Sequence, residues 1–349
     1  MCLLTIAVPT YNRSRLLSTL LHSFVEGANS IEKGLVEILI CDNASGDDTS
    51  LVVDEFNRKY PIRYIQNETN VGSDLNFANC YNLSSGKFFL LIGDDDVFVK
   101  GAFLRLIAII KQFSGQNLGG IYMPAAAYVN ELNETHPQNT CSKIFVNSEE
   151  FLRLTAHRVT FISSFVINKE IVGSVDAKDF VGQCLVQLHW LFRVLTNGDN
   201  HLILRDVMLS CSKSSSANFD YGRVFVGYQY SIIDQYFGAG SSIAINMKCR
   251  ILPLLIAPLM VRQKLYGNFN RDLVLSQIRV LLHGQSARVK TSFHLFCLPV
   301  AYLPNALAYL YGLGISFLYR LFLGEIWILR KAQREVIRSI KGMGSQNVR

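Results

Sequence analysis

The sequence has few charged residues and no closely spaced cysteines. Only 17% of its 349 residues are charged, which is below the roughly one quarter that is typical of soluble domains. The eight cysteines are scattered and form no C-x-x-C pair. A disulfide scaffold, a zinc ribbon and a dithiol redox motif are therefore excluded. Scattered cysteines favour a reducing, cytosolic setting, and the N-terminus lacks the basic segment of a secretory signal.

Several catalytic motifs are also missing. The chain contains no G-x-x-x-x-G-K-[ST], no G-x-G-x-x-G after its first apolar run, no G-x-S-x-G and no H-E-x-x-H. These absences disfavour P-loop enzymes, dinucleotide dehydrogenases, α/β-hydrolases and zinc proteases.

The charges that are present divide the chain into two parts. Residues 1–200 contain 16 basic and 21 acidic side chains, whereas residues 201–349 contain 18 basic and 6 acidic ones. With a length typical of about two domains, we expect a catalytic domain over 1–210 and a helical region over 211–349. Aromatic residues of the basic part lie in apolar runs and are not interleaved with basic ones, which disfavours nucleic-acid binding.

Short apolar runs alternate with helical patterns over the first hundred residues. This alternation predicts an α/β fold with a mostly parallel sheet flanked by helices. The predicted strands are 3–8, 36–41, 62–65 and 88–92, and the predicted helices are 15–24, 49–56 (capped by Thr49), 101–113 and 181–195. Polar residues follow the strands, at the carboxyl ends where such sheets bind ligands.

Asp94, Asp95 and Asp96 directly follow the fourth predicted strand. Adjacent carboxylates repel one another unless a cation or hydrogen-bond donors compensate them. An oxygen-rich site without Cys or His favours Mg²⁺ or Mn²⁺, shared with phosphate oxygens. The alternative interpretation is an exposed acidic turn.

Three further residues are candidates for binding or catalysis. Asp42 follows the second strand and either accepts hydrogen bonds from a nucleoside or forms a local turn. Gly72 stands before a helical pattern, where its backbone can approach a ligand. His189 lies on the predicted helix 181–195 and is either a buried core residue or a general base.

The last sixty residues combine apolar and basic character. Residues 291–319 contain no Asp, Glu, Lys or Arg, but prolines and glycines interrupt them, and a basic run follows Trp327. Attachment to an anionic membrane surface is the favoured interpretation. A membrane span and a buried helical pair of a soluble domain are the alternatives.

Four segments in order, TIAVPTYNR, EILICDNASGDDTS, NVGSDLNFAN and GKFFLLIGDDD, resemble the family 2 glycosyltransferases, closely over 1–115 and loosely to 200. Within that family, the sequence is most similar to the abequosyltransferase type that builds bacterial O-antigen. The resemblance implies the A-type, Rossmann-like nucleotide-sugar fold. It also implies an inverting, metal-assisted transfer of a sugar from a nucleotide-sugar to a hydroxyl of a glycan.

The resemblance also assigns residues. Donor binding is implied for Pro9, Thr10, Tyr11, Asn12, Arg13, Asp42, Asn43, Ser45, Asn70, Gly72, Asn76 and Asp94. Asp95, Asp96 and Asp94 are the implied ligands of Mg²⁺ or Mn²⁺, although Gly93 stands where the commonest form has its first Asp. Asp179 is the implied general base, with Asp176 and His189 as alternates.

A lipid-linked glycan acceptor is consistent with the basic, apolar C-terminal region. We therefore expect the protein at the anionic cytoplasmic face of the inner or plasma membrane, either peripheral or re-entrant, with its catalytic domain in the cytoplasm. Two other functions stay open: a sugar nucleotidyltransferase, although PTYNRSR lacks the glycines of its phosphate loop, and a non-catalytic, membrane-attached nucleotide-sugar-binding protein.

Overall fold

The computed structural model describes residues 2–25, 31–127, 143–211, 220–267 and 269–322. The chain divides into two compact units. We call Met1–Asp220 with Tyr228–Gly238 the N-terminal unit, and Tyr221–Gly227 with Ala239–Arg349 the C-terminal unit. The basic run after Trp327, which the sequence predicts to contact lipid, lies outside the described residues.

The N-terminal unit contains eleven described strands and eight described α-helices. The strands are β1 (Leu4–Thr10), β2 (Val36–Asp42), β3 (Ile62–Gln66), β4 (Phe88–Leu91), β5 (Asp96–Phe98), β6 (Gly120–Tyr122), β7 (Ala125–Ala127), β8 (Lys143–Val146), β9 (Phe165–Asn168), β10 (His201–Leu204) and β11 (Leu209–Cys211). The α-helices are α1 (Ser14–Val25), α2 (Thr49–Asn57), α3 (Ser73–Leu83), α4 (Ala102–Phe113), α5 (Ser148–Thr155), α6 (Lys169–Val172), α7 (Val186–Asn197) and α8 (Gln229–Phe237).

Eight strands form the main sheet in the order β3-β2-β1-β4-β9-β6-β10-β8. The first four strands are mutually parallel, as are β6 and β10, while β9 is antiparallel to both of its neighbours and β8 is antiparallel to β10. The predicted α/β fold with a mostly parallel sheet is confirmed. Every residue of β1 and β4 is buried, which explains why these strands are continuous apolar runs.

Strand register brings the polar ends of the strands together. Thr10, the last residue of β1, is paired with Asp42, the last residue of β2. Strand β4 lies on the other side of β1 and leads into the acidic segment that begins at Asp94. Polar residues that are distant in sequence therefore meet at one edge of the sheet.

A second, three-stranded sheet has the order β5-β11-β7. Its strands β5 and β11 are antiparallel, and their register pairs Asp96 with Cys211. This sheet was not predicted from the sequence. The sheet contains Asp96, the last of the three aspartates, which therefore does not lie on an exposed turn.

Two helix starts differ from the sequence predictions. Helix α7 begins at Val186, five residues later than predicted, because Gly182 (φ 108°) and Cys184 (φ 57°) adopt left-handed backbone conformations that a right-handed helix does not allow. Thr49 does not cap α2 but is its first residue, and its hydroxyl donates to Asp47.

The C-terminal unit is helical. Its described α-helices are α9 (Ser242–Ile251), α10 (Ala257–Leu265), α11 (Arg271–Leu281), α12 (Ala287–Phe296), α13 (Leu298–Tyr302) and α14 (Asn305–Phe322), and a π-helical turn at Leu252–Ile256 joins α9 to α10. Within the described ranges, one continuous helical segment, Ser242–Leu265, is long and apolar enough to cross a membrane, and 61% of its most apolar window is buried.

The uncharged stretch 291–319 is divided among three helices. Pro299 lies in the first turn of α13, and Pro304 directly precedes α14, which are positions where proline starts a helix without breaking one. Ala308, Gly312 and Ile315 form the buried face of α14. Its opposite face exposes seven large apolar side chains: Leu307, Tyr309, Leu310, Leu313, Phe317, Leu318 and Leu321.

Candidate active site

The centre of the candidate site is a contact between the ends of β1 and β4. The Thr10 hydroxyl donates to Asp94 Oδ2 over 2.8 Å. Arg13, on the turn before α1, donates from Nη1 to Asp94 Oδ1 over 2.9 Å and lies 3.5 Å from Asp95 Oδ2. The structure thus brings together four of the residues that the sequence analysis selected for donor and metal binding.

Burial and charge act against each other in this cluster. Burial raises the pKa of Asp94, while the hydrogen bonds and charge supplied by Arg13 and the hydrogen bond from Thr10 oppose that rise. Burial lowers the pKa of the Arg13 guanidinium, but its bonds to Asp94 and the charges of both aspartates outweigh this, so that its pKa is raised. Arg13 and Asp95 have 34% and 23% of their side-chain surface exposed, so a ligand can reach them.

Asp96 is buried and accepts hydrogen bonds from two side chains of the protein. Ser163 Oγ donates to Asp96 Oδ2 and accepts from the Gly93 backbone N–H over 2.9 Å, and the Cys211 thiol forms a further hydrogen bond to Asp96. Burial raises the pKa of Asp96 to about 6, with the nearby Asp95 charge adding to the rise and the Ser163 bond opposing it. Of the three aspartates, Asp95 is the most accessible.

A side chain at Gly93 would crowd this cluster. A Cβ at this position would lie 3.0 Å from Asp95 Oδ1 and 3.3 Å from Asp96 Oδ2. The space beside residue 93 is therefore already occupied by carboxylates.

Asp42 is buried, and both of its oxygens are hydrogen-bonded. Oδ1 accepts from the backbone N–H of Ser45 over 2.9 Å and from the Ser45 hydroxyl. Oδ2 accepts from the Tyr64 hydroxyl over 2.6 Å and from Gln66 Nε2 over 3.1 Å. The local turn that the sequence analysis gave as an alternative is thus present, and β3 supplies two donors that it did not identify.

The loop after β1 is joined to the loop after β2. The Asn12 backbone N–H donates to Ser45 Oγ over 2.9 Å, and Asn12 Oδ1 accepts from the Gly46 N–H over 2.8 Å. Pro9 lies within β1, whereas the Tyr11 side chain is 44% exposed. Together with the Asn43 N–H, which donates to the Thr10 carbonyl over 2.9 Å, these bonds hold the backbone on either side of Tyr11 while leaving its ring accessible.

Four asparagine side chains form a network beneath these loops. Asn43 Nδ2 donates to Asn70 Oδ1 over 2.8 Å, and Asn67 Nδ2 donates to the side-chain oxygens of Asn43 and Asn76 over 3.0 and 3.1 Å. Asn76 Nδ2 donates to the backbone of β2 over 2.9 Å. Gly72, at φ 83°, donates its N–H to Asn70. The network fixes the entrance of α3 against β2.

The two candidate aspartate bases have different surroundings. Asp176 caps the 3₁₀ helix Ala177–Phe180: its Oδ1 accepts from the Lys178 N–H over 3.0 Å and from Asn82 Nδ2 over 2.6 Å. These two hydrogen bonds lower its pKa. Asp179 is exposed, and within the described residues its carboxylate has no hydrogen-bond donor. Asp179 is therefore the one with a carboxylate available to a substrate.

His189 is a buried residue of α7. Its ring stacks on Phe180 at 4.3 Å and 7°, and its Nδ1 lies 3.2 Å from the Tyr236 hydroxyl. Burial lowers its pKa to about 4, so the ring is neutral at neutral pH. These surroundings are those of the core histidine that the sequence analysis considered.

Several residues in or next to the site were not identified from the sequence. Asp74, in the first turn of α3, accepts from the N–H groups of Gly182 and Cys184 over 2.9 and 2.8 Å; an acidic residue at a helix start was its only sequence signal. The others belong to no motif and reach the site through strand order or loop packing. They are Tyr64, Gln66, Asn67, Ser163 and Cys211.

The donor set decides which cation fits. Within the described part of the chain, no group of three or more His, Cys, Asp or Glu residues is arranged to hold a metal ion. Asp94 and Asp95 nevertheless offer carboxylate oxygens, the hard ligands of Mg²⁺ and Mn²⁺. Since Mg²⁺ is usually bound by one or two carboxylates together with substrate phosphates, these residues fit a cation that is bound jointly with a diphosphate.

Comparison with solved structures identifies the class of fold. The crystal structure of S. aureus TarS 1-349 superposes with a TM-score of 0.57 at 17% identity over 91% of both chains. Its complex with UDP-GlcNAc gives a TM-score of 0.56 at 16% identity, over 91% of this chain and 92% of that one. The fold is the A-type fold of glycosyltransferases.

The sequence comparisons point to the family that the four motifs resemble. Residues 5–170 match Glycosyl transferase family 2. Abequosyltransferase RfbV of Salmonella typhimurium is 38% identical over 102 residues, which cover 28% of this chain and 29% of the relative. The poly(ribitol-phosphate) beta-N-acetylglucosaminyltransferase TarS of Staphylococcus aureus is 28% identical over 109 residues, or 31% of this chain and 19% of TarS. The alignments thus span less than a third of both relatives.

Proposed function

We propose that this protein is a glycosyltransferase that moves a sugar from a nucleotide-sugar donor to a hydroxyl of a glycan in bacterial surface polysaccharide synthesis, of the O-antigen type. The observation that carries the proposal is the cluster of Thr10, Arg13, Asp94 and Asp95 at the sheet edge of a family 2 domain. Its similarity to two relatives, an abequosyltransferase and an N-acetylglucosaminyltransferase, supports it.

The cluster suits the charge that develops in such a reaction. As the bond from the sugar to the diphosphate breaks, negative charge accumulates on the departing oxygens, and nearby cationic groups stabilise it. Arg13 supplies one positive charge from the chain itself. Asp94 and Asp95 would hold Mg²⁺ or Mn²⁺, which as a Lewis acid would supply further neutralisation; Asp96, bonded to Ser163, would support the turn that carries them.

The residues around Asp42 suit the nucleoside part of the donor. Tyr11 offers an exposed ring for stacking on a base, between backbone segments that Asn12 and Ser45 hold in place. Asp42 is buried, and its bonds to Ser45 and to Tyr64 hold the loop after β2 that is joined to the loop carrying this ring.

Asp179 is the proposed general base for inversion. It would accept the proton of the acceptor hydroxyl on a carboxylate oxygen as that hydroxyl attacks the sugar. Its exposed carboxylate, without an internal donor in the described part of the chain, supports this role. Asp176 is engaged as a helix cap, and His189 stacks inside the core.

The C-terminal unit is proposed to lie on the anionic cytoplasmic surface of the inner membrane, where a lipid-linked acceptor would be concentrated. Two observations support this location. Helix α14 exposes seven large apolar side chains, and residues 239–322 contain nine Lys and Arg against a single Asp.

A ligand-binding experiment tests the proposed function. The melting temperature is measured with UDP, CDP, GDP and dTDP, each with and without Mn²⁺, because a ligand of the native state raises it. We expect one diphosphate to raise it, and more so with Mn²⁺. Transfer from the matching nucleotide-sugar to a lipid-linked acceptor is then assayed. If no diphosphate changes the melting temperature, the proposal is wrong.

A further inference from the structure

We propose that the Arg13 guanidinium acts as a built-in counterion that occupies the Asp94–Asp95 pair until a divalent cation arrives, and that it then moves to the diphosphate. The proposal rests on the proposed donor chemistry of this site. It assigns Arg13 two successive partners, the carboxylates in the free protein and the donor's phosphate oxygens in the loaded one.

The contact distances define the first partner. A single nitrogen, Arg13 Nη1, lies 2.9 Å from Asp94 Oδ1 and 3.5 Å from Asp95 Oδ2. A cation held by both aspartates would use the same two carboxylates. The guanidinium thus engages the groups that such a cation would need.

Charge makes the two occupants compete. A divalent ion sits about 2 Å from its carboxylate ligands, which would leave it within a few ångströms of an unmoved guanidinium. Two positive charges at such a separation repel strongly in a partly buried site. Cation binding therefore favours departure of the Arg13 side chain from the pair.

The backbone and the exposure of Arg13 allow that movement. Its carbonyl accepts from the N–H groups of Leu16 and Leu17 over 3.0 Å each and so anchors the first turn of α1. Its side chain, by contrast, is about one third exposed. The guanidinium can swing on a fixed backbone, and guanidinium groups bind phosphate oxygens through paired hydrogen bonds.

The proposal predicts two effects of opposite sign for Arg13→Gln. This change retains a donor for Asp94 but removes the charge. Mn²⁺ alone, titrated at pH 8 with electron paramagnetic resonance of the free ion as the readout, should bind about fivefold more tightly, because its competitor is gone. The nucleoside diphosphate selected by the melting experiment, titrated calorimetrically in saturating Mn²⁺, should bind about tenfold more weakly.

Two further variants control for charge and folding. Arg15→Gln removes an exposed positive charge two residues away and should leave both affinities unchanged. Arg13→Lys keeps the charge and should return Mn²⁺ binding towards the wild-type value. Melting temperatures of all variants establish that each is folded.

The outcomes separate this inference from the proposed function. If the wild type binds both probes and Arg13→Gln weakens or leaves unchanged its binding of Mn²⁺, the counterion role is wrong and the proposed function stands. Equal changes in Arg15→Gln would also overturn it, since a general loss of charge would then explain the result. If the wild type binds neither Mn²⁺ nor any diphosphate, both proposals fail.

Discussion

The two units of this protein differ in how many large apolar side chains they expose. Among the described residues, the N-terminal unit exposes four large apolar side chains and the C-terminal unit thirteen. The N-terminal unit instead buries polar groups: Asp42, Asp94 and Asp96 are buried and hydrogen-bonded. One unit is built around a polar site, whereas the surface of the other suits an apolar environment.

This contrast has energetic consequences that mutation can measure. A buried, fully bonded polar group is costly to disturb, since its partners are left without hydrogen bonds in a site that excludes water. An exposed apolar side chain contributes little to folding, and its replacement chiefly changes what the surface binds. Replacing buried polar residues of the N-terminal unit should affect catalysis and stability. Replacing exposed apolar residues of the C-terminal unit should affect membrane binding.

The largest expected effect is on turnover. Asp95→Ala removes the most accessible carboxylate of the acidic segment, and we expect at least about a hundredfold loss of sugar transfer, since stabilisation of the departing charge is lost. The melting temperature should stay close to that of the wild type. Asp54→Asn, at an exposed position of α2, is the matched control. Retained turnover in Asp95→Ala would favour a non-catalytic binding protein.

Ser163→Ala tests the bonds that hold Asp96. The change leaves the buried Gly93 N–H without its acceptor and removes the Ser163 donor from Asp96, which keeps only its bond from Cys211. We expect the free energy of unfolding to fall by about 2 kcal/mol. Urea denaturation gives the measurement. Ser164→Ala, at the neighbouring buried serine, should cost less. Equal losses in the two variants would mean that the Ser163 hydroxyl has no special role.

His189 should make stability depend on pH. Its pKa is about 4 in the folded protein against 6.5 ordinarily, so the unfolded chain binds the proton first as the pH falls. Stability is therefore lost between about pH 6.5 and 4, by about 2 kcal/mol at pH 5. Urea denaturation at pH 7 and 5 should show that His189→Gln loses about 2 kcal/mol less than the wild type. His22→Gln, at an exposed position of α1, should behave like the wild type.

The smallest expected effect concerns the C-terminal unit. The double change Leu310→Glu with Phe317→Glu places two negative charges on the exposed face of α14. We expect about a tenfold loss of sedimentation with anionic liposomes and little change in melting temperature. Leu51→Glu, an exposed apolar position of the N-terminal unit, should leave liposome binding intact. If Leu51→Glu were equally harmful, or the double variant harmless, α14 would not be the contact surface.

Strands β1, β2 and β4 could be predicted from the sequence because each is a short, mostly apolar run bounded by turn residues. Leu4–Thr10 and Phe88–Leu91 are buried along their whole length, so their pattern needed no knowledge of their neighbours. The four motifs that predicted the family lie in and beside these strands, and they have the polar residues of the candidate site at their ends. Local sequence was sufficient for this half of the domain.

The remaining site contacts depend on strand order. Ser163 reaches Asp96 because β9 lies beside β4, although these two residues are 67 positions apart in sequence. Cys211 reaches Asp96 only through the register of β11 with β5. Such pairings leave no mark in a local pattern, and the same is true of Tyr64 and Gln66, which lie on a strand with an ordinary composition.

The missing side chain at Gly93 changes how this acidic segment should be understood. A fourth carboxylate there would crowd Asp95 and Asp96 and add repulsion where Arg13 already balances two negative charges. Glycine at position 93, where the commonest form of the motif has its first Asp, is therefore compatible with the close packing of the Asp95 and Asp96 side chains. An aspartate at position 93 would require the Asp95 and Asp96 carboxylates to shift by a few tenths of an ångström.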